Sequence, residues 1–401
     1  MAQDTLTDAS NYTDFFITAV LTNIAYWQNN PAVQSLEVEA LDQEREGLVR
    51  AILYGLTVPE AWPAVYQLIE TLSPYIERRG YWAVWQQVLD QALAQAQQRD
   101  DAARCVVFSL LLARLLQRQS KIKQTIHHYR WAINFARQAG SRYNEGRACT
   151  NLGYFYIELG RWFRAKVLCC YALDLFEQIK NEHGQAHTHN HLGVLFTWQG
   201  IWHKAQLHLE SACAIWEKMN DHHGLMRGLI NLGTLYILSR QLTQALHCFQ
   251  DAANYAQLTG DELELATIYM NRGIIHQYNG NLAEAEHCIR SAEAIYQKYS
   301  NLSGLAQAWS NLGIAYLEQG RALEGGQFLQ KSLNTWRKLD NRQGELKALA
   351  GLIEYEFMRQ DHAQVTAKLK ELKAIKARYL PHFQDPYLNT ILQKYHYSLT
   401  E

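Results

Sequence analysis

The chain of 401 residues is 48% hydrophobic and 19% charged, with a formal net charge of −1. That balance supports a packed core and excludes a disordered polyelectrolyte. Neither sign of charge dominates, which argues against bulk electrostatic binding to nucleic acid or to a membrane surface.

The polar start "MAQDTLTDAS" lacks a basic region followed by a long apolar run, so no secretory signal is expected. The apolar stretch "FFITAVLTNIAYW" is too short to cross a bilayer, and no membrane insertion is expected. Residues 1–58 are predicted to form an N-terminal helical segment or cap, with helices at roughly 11–29 and 37–55 and no recognisable motif. Six prolines occur, at Pro31, Pro59, Pro63, Pro74, Pro381 and Pro386. None interrupts the span between Pro74 and Pro381, which suits packed helices because proline removes a backbone donor and clashes with the preceding turn. The seven cysteines, Cys105, Cys149, Cys169, Cys170, Cys213, Cys248 and Cys288, match no zinc or redox spacing. They read as small hydrophobes at apolar helical positions in a reducing cytoplasm, without disulfides.

Residues 59–140 are predicted as degenerate helix pairs. "RGYWAVWQQVLDQALAQA" from Arg79 reads as a turn and a second helix, and 102–138 as another pair. From 141 to 340 a period of forty is plain, in five units. Gly153 recurs as Gly193, Gly233, Gly273 and Gly313. A second glycine recurs as Gly160, Gly200, Gly280 and Gly320, with Arg240 as the exception. Small residues recur at Ala165, Ala205, Ala245, Ala285 and Gly325, and again at Ala172, Ala212, Ala252, Ala292 and Ser332. Each unit is predicted as two helices, in the first at roughly 142–159 and 162–179. A glycine inside a helix costs about 1 kcal/mol relative to alanine. Its recurrence therefore implies a spatial need: Gly153 and Ala165 let the two helices cross closely. Gly160 ends the first helix, where a left-handed cap suits glycine. In 342–379 the marks fade, with Ile353 and Gln360 at the two glycine columns. Residues 341–401 are expected to be a degenerate terminal repeat and a capping helix near 386–399.

The spacing of Leu152, Gly153, Tyr156, Gly160, Ala165 and Ala172 resembles the tetratricopeptide repeat. The usual unit has about 34 residues. The longer unit here resembles the arrays of kinesin light chains and of bacterial sensor proteins. The resemblance implies an all-α fold: a right-handed superhelical α-solenoid of antiparallel helix pairs, its concave surface lined by the first helix of each unit.

Beside the packed face, Arg147, Asn151, Tyr154 and Glu158 fall on one stripe. Asn151 recurs as His191, Asn231, Asn271 and Asn311. In tetratricopeptide families the matching asparagines form a ladder that holds the backbone of a bound peptide. A primary amide suits this, since it offers both donors and an acceptor. The alternative is that each amide bonds to a neighbouring helix and sets the repeat spacing. Upstream lie Arg147, His187 and Arg227, followed by Thr267, Gln307 and Lys347. This basic N-terminal half suits an acidic segment or a C-terminal carboxylate, or else it is a solvated or locally paired set of charges. Trp198 and Tyr278, at the far end of the stripe, are expected to form apolar pockets or to pack on the next unit. Arg272, in a column of leucines, is expected to extend its head group to water.

"EHGQAHTHNHLG" carries His183, His187, His189 and His191. Pairs four apart can chelate a metal. No cysteine or carboxylate completes a set, however, and His189 falls in a core column, so no metal is expected. Two of these histidines are expected to titrate near neutral pH. Phosphate-loop, hydrolase, metalloprotease and dinucleotide motifs are absent from the sequence, so neither enzyme activity nor a cofactor is expected. The functional expectation is a scaffold binding an extended peptide or helix of a partner protein. The alternative is a peptide-sensing module acting with a separate effector. An RNA reader is disfavoured by the neutral charge.

Overall fold

The computed structural model describes residues 2–79, 81–119, 121–379 and 386–396. All regular structure among these residues is helical. The first helices are α1 (Ala2–Asn29), α2 (Pro31–Ser35), α3 (Val38–Gly55) and α4 (Trp62–Arg79), with a 3-10 turn at Pro59–Ala61. Next come α5 (Trp82–Gln98), α6 (Ala102–Arg118), α7 (Ile122–Gln138), α8 (Arg142–Glu158) and α9 (Trp162–Gln178). They are followed by α10 (Glu182–Trp198), α11 (Trp202–Lys218), α12 (His222–Leu238), α13 (Leu242–Thr259) and α14 (Glu262–Tyr278). The last are α15 (Leu282–Lys298), α16 (Leu302–Glu318), α17 (Ala322–Lys338), α18 (Arg342–Met358), α19 (His362–Tyr379) and α20 (Pro386–His396).

The backbone keeps time more strictly than the sequence motif. From Gly140 to Gln360 every twentieth residue is left-handed, including Lys180, Asn220, Arg240, Ser300 and Asp340. Each turn closes with a six-residue hydrogen bond, such as Arg161 N to Tyr156 O at 2.8 Å and Gln241 N to Tyr236 O at 2.8 Å. This is the glycine-type helix stop. Arg240 and Gln360 therefore adopt the conformation of the glycines they replace, at φ of 64° and 60°. The rhythm persists through α18, where the motif has faded.

The chain divides into two compact units, Met1–Asn144 and Glu145–Glu401. In the first, α1, α3 and α4 pack on one another, and their apolar faces join in a core that includes Ile24, Trp27, Leu48, Ile52 and Val65. In the second, consecutive helices pair, and first helices also meet: α10 with α12, α12 with α14, α16 with α18. A hydrogen bond from Gln343 Nε2 to the backbone oxygen of Glu158, at 3.3 Å, joins α18 to α8 within this unit.

The recurring glycines mark close crossings. A Cβ on Gly153 would stand 2.6 Å from Cys169 Sγ, and one on Gly313 would stand 3.0 Å from the Gly325 carbonyl oxygen. The limiting neighbour is usually the residue four places after the small column: Cys169, Leu209, Phe249, Ile289 or Leu329. A second set of glycines has the same role between units. Gly184, Gly224, Gly304 and Gly344 lie under the rings of Phe176, Trp216, Tyr296 and Trp336, with no room for a Cβ. Residues three before them cap the helices: Asn301 Oδ1 accepts from Gly304 N at 2.9 Å, and Asp221 Oδ1 from Gly224 N at 2.9 Å.

All seven cysteines are free thiols. The reading of every cysteine as a packed hydrophobe is corrected at Cys170, which is exposed on α9. Among the described residues no helix is long and apolar enough to cross a membrane.

Candidate functional site

The first helices of the five clear units are α8, α10, α12, α14 and α16, and their expected groove residues divide into three groups. Arg147 and Arg227 are exposed, and among the described residues neither has an ion-pair partner. Asn151 and Asn311 are half-buried, and their amides make no hydrogen bond among the described residues. Trp198 and Tyr278 are exposed, and the Arg240 guanidinium lies 4.4 Å from the Tyr278 ring centre.

The remaining ladder positions are engaged within the protein. Asn231 Nδ2 donates to Asn190 Oδ1 of the preceding unit at 2.8 Å. Asn271 Nδ2 donates to the Thr267 carbonyl of its own helix at 3.1 Å. His191 is buried, its ring 4.7 Å from that of Tyr154. Burial, the Arg227 charge and His187 hold its pKa down to about 3. Its Nδ1 has no partner among the described residues. Asn231 thus ties adjacent units, whereas Asn151 and Asn311 make no amide hydrogen bond among the described residues.

His187 sits among charges. Burial first, then His183, Arg227 and Arg147, lower its pKa to about 4, against the opposing pull of Asp221. Its ring stands 5.2 Å from Trp216. His189 is also lowered, by burial, and its Nδ1 lies 2.9 Å from His208 Nδ1. The expectation of titration near neutral pH is therefore corrected for His187, His189 and His191, because the fold desolvates all three rings. Beside them, burial and Glu158 push the Tyr154 phenol up to about 12. Among the described residues no three His, Cys, Asp or Glu side chains converge to hold a metal ion.

Trp216 and Asn190 were not foreseen. Trp216 supports His187, and Asn190 anchors Asn231 from one position before the ladder column. Asn190 shows no spacing signal because it acts across the junction between units, whereas Trp216 meets His187 within one helix pair. Arg272 is half-buried and electrostatically coupled to Cys288.

Residues 224–298 match the family model of the tetratricopeptide repeat. The fold is a tetratricopeptide-type α-solenoid. A Rap protein complexed with competence and sporulation factor superimposes with a TM-score of 0.64 at 13% identity, covering 91% of this chain and 100% of that one. Aspartyl phosphate phosphatase F from Bacillus subtilis gives 0.57 at 13% identity, covering 89% and 94%. A signal-transduction ATPase with a tetratricopeptide repeat sensor from Pyrococcus horikoshii gives 0.51 at 12% identity, covering 88% and 54%. At these identities the likeness is one of fold. No curated protein sequence matches the chain. Stacked repeats of this type present extended surfaces to protein partners.

Proposed function

We propose that the protein is a non-catalytic interaction scaffold that captures an extended peptide or helix of a protein partner along the first helices α8 to α16. The observation that carries this reading is the unspent capacity of one stripe. Among the described residues Arg147 and Arg227 form no salt bridge and the amides of Asn151 and Asn311 make no hydrogen bond, and Trp198 offers an exposed aromatic face. An extended chain needs these groups: amides for its backbone, and guanidinium forks for an acidic side chain or terminus. Asn231 and Asn271 belong to the framework of this stripe, because each already commits an amide N–H within the protein.

The test is selection of a phage-displayed random dodecapeptide library on the full chain. Acidic sequences are expected to enrich on the parent and to be lost on Arg147→Ala with Arg227→Ala and Asn311→Ala, with helicity unchanged. Equal enrichment on both proteins removes the groove from the account. A second reading, a peptide sensor acting with a separate effector, is favoured by the bond between Gln343 and Glu158. A selected peptide that changes the radius of gyration in solution scattering supports the sensor. An unchanged radius supports the scaffold.

A further inference from the structure

The start of α10 brings two histidine rings together. His183 Nε2 lies 3.3 Å from His187 Nε2, one turn further along the same helix. Two neutral ring nitrogens that close need a proton or a cation between them, since two lone pairs would otherwise face each other. The separation also matches a chelate. Imidazole nitrogens about 2.0–2.1 Å from a tetrahedral zinc ion stand about 3.3–3.4 Å from one another. Asp221, the N-cap of α12, adds a carboxylate from the following unit. Its Oδ1 accepts from Gly224 N at 2.9 Å, and its Oδ2 stands 3.7 Å from His183 Nε2. A carboxylate there can order a water on the ion and offset the ion's charge.

The next unit supplies a comparison. His223 and Asp261 repeat the arrangement of His183 and Asp221, with His223 Nδ1 3.7 Å from Asp261 Oδ2. One turn after His223, however, stands Arg227, where α10 has His187. A guanidinium has no lone pair to give. The same two columns hold Tyr143 and Arg147 in α8, Leu263 and Thr267 in α14, and Ser303 and Gln307 in α16. Only α10 of these five helices thus carries the pair. Burial and the neighbouring charges hold the His187 pKa at about 4, so its ring is unprotonated at neutral pH, as a ligand must be. The Trp216 ring backs it at 5.2 Å. The His183 side chain is 47% exposed, which leaves a path from solvent. Arg147 and Arg227 oppose a further positive charge here, and Asp221 favours one.

We infer that His183 and His187 chelate one divalent transition ion of the zinc, nickel and copper class, with Asp221 beside it and water completing its coordination. Imidazole suits these ions, and copper(II) should bind more tightly than zinc or nickel. Two protein ligands make the ion exchangeable, unlike the closed four-ligand sites of structural zinc. The sequence pointed away from a metal because the carboxylate comes from another unit. An ion held here links the start of α10 to the start of α12 and stabilises the folded chain by mass action. This binding is independent of peptide capture.

Isothermal titration with zinc chloride tests it, on the full chain stripped by a chelator and carrying no polyhistidine tag. One zinc ion per chain is expected. His183→Gln and His187→Gln should each weaken binding at least about tenfold, or about 1.4 kcal/mol. Asp221→Asn can keep the cap on Gly224 N and should weaken it severalfold. Arg227→Gln removes a repelling cation and should tighten it. His208→Gln, which breaks the other close histidine contact, and His223→Gln should leave it unchanged. The electron paramagnetic resonance spectrum of the copper(II)-loaded parent should show coupling to two imidazole nitrogens, and that of His187→Gln to one. Circular dichroism melts of every variant guard against loss of fold. A parent that binds neither zinc nor copper(II) overturns the inference. So does binding that survives His183→Gln with His187→Gln, or binding lost in His208→Gln, which assigns the ion to the other pair.

Discussion

The junction between α13 and α14 is built differently from the four that resemble one another: α9 with α10, α11 with α12, α15 with α16, and α17 with α18. In those four a large ring, Phe176, Trp216, Tyr296 or Trp336, covers a glycine at Gly184, Gly224, Gly304 or Gly344. At the exceptional junction the ring is replaced by Ala256, and the glycine position holds Glu264. Large meets absent, and small meets long. The comparison pairs a large ring with glycine at four junctions and a small residue with a long one at the fifth, an exchange of volume that close packing of interiors favours. Glu264 brings a carboxylate to this exceptional junction. Burial, with help from Asp261 and against Arg227 and His223, raises its pKa.

The largest effect is expected from breaking a regular junction. Gly304→Leu drives a branched side chain into Tyr296 and should cost about 3 kcal/mol or more, read as a lowered urea midpoint. Converting the exceptional junction is the sharper test. Ala256→Tyr alone should destabilise by about 1–3 kcal/mol through overpacking. Adding Glu264→Gly should recover most of that loss, and a double mutant no better than the single would refute the volume exchange. Asn301→Ala removes the cap on Gly304 N and should cost about 1 kcal/mol in the same assay.

The smallest effect depends on pH. The raised pKa of Glu264 means that the folded state holds this proton more tightly than the unfolded chain does. Stability therefore falls as pH rises from the unfolded value through the raised folded value. Glu264→Gln should exceed the parent in stability at pH 7, and the advantage should vanish below about pH 4. Thermal melts across that range decide it.

The crossing inside each unit was legible because Gly153 and its equivalents recur with the same neighbours at one period. The crossing between units was not. Its glycines lack a fixed sequence partner, since the covering residue is Phe176, Trp216, Ala256, Tyr296 or Trp336. A column of such mixed types gives no signal until the volumes are seen together. The stripe of Arg147, Asn151, Arg227 and Asn311 was legible as columns of the repeat. Spacing gave no sign that Asn231 would be held by Asn190 one unit back. Nor did a histidine count reveal that burial would keep His187 and His191 neutral, because Trp216, Tyr154 and the guanidiniums of Arg147 and Arg227 reach them from other helices.

The contact of Gln343 with Glu158 changes how the second unit responds to strain. A row of modules linked only to adjacent modules lets each bend without informing the others. A clasp between distant members turns that row into a closed circuit, in which small rotations at every hinge add up in one gap. Loosening any hinge, by a guest molecule or a substitution, should register first as the opening or tightening of that clasp.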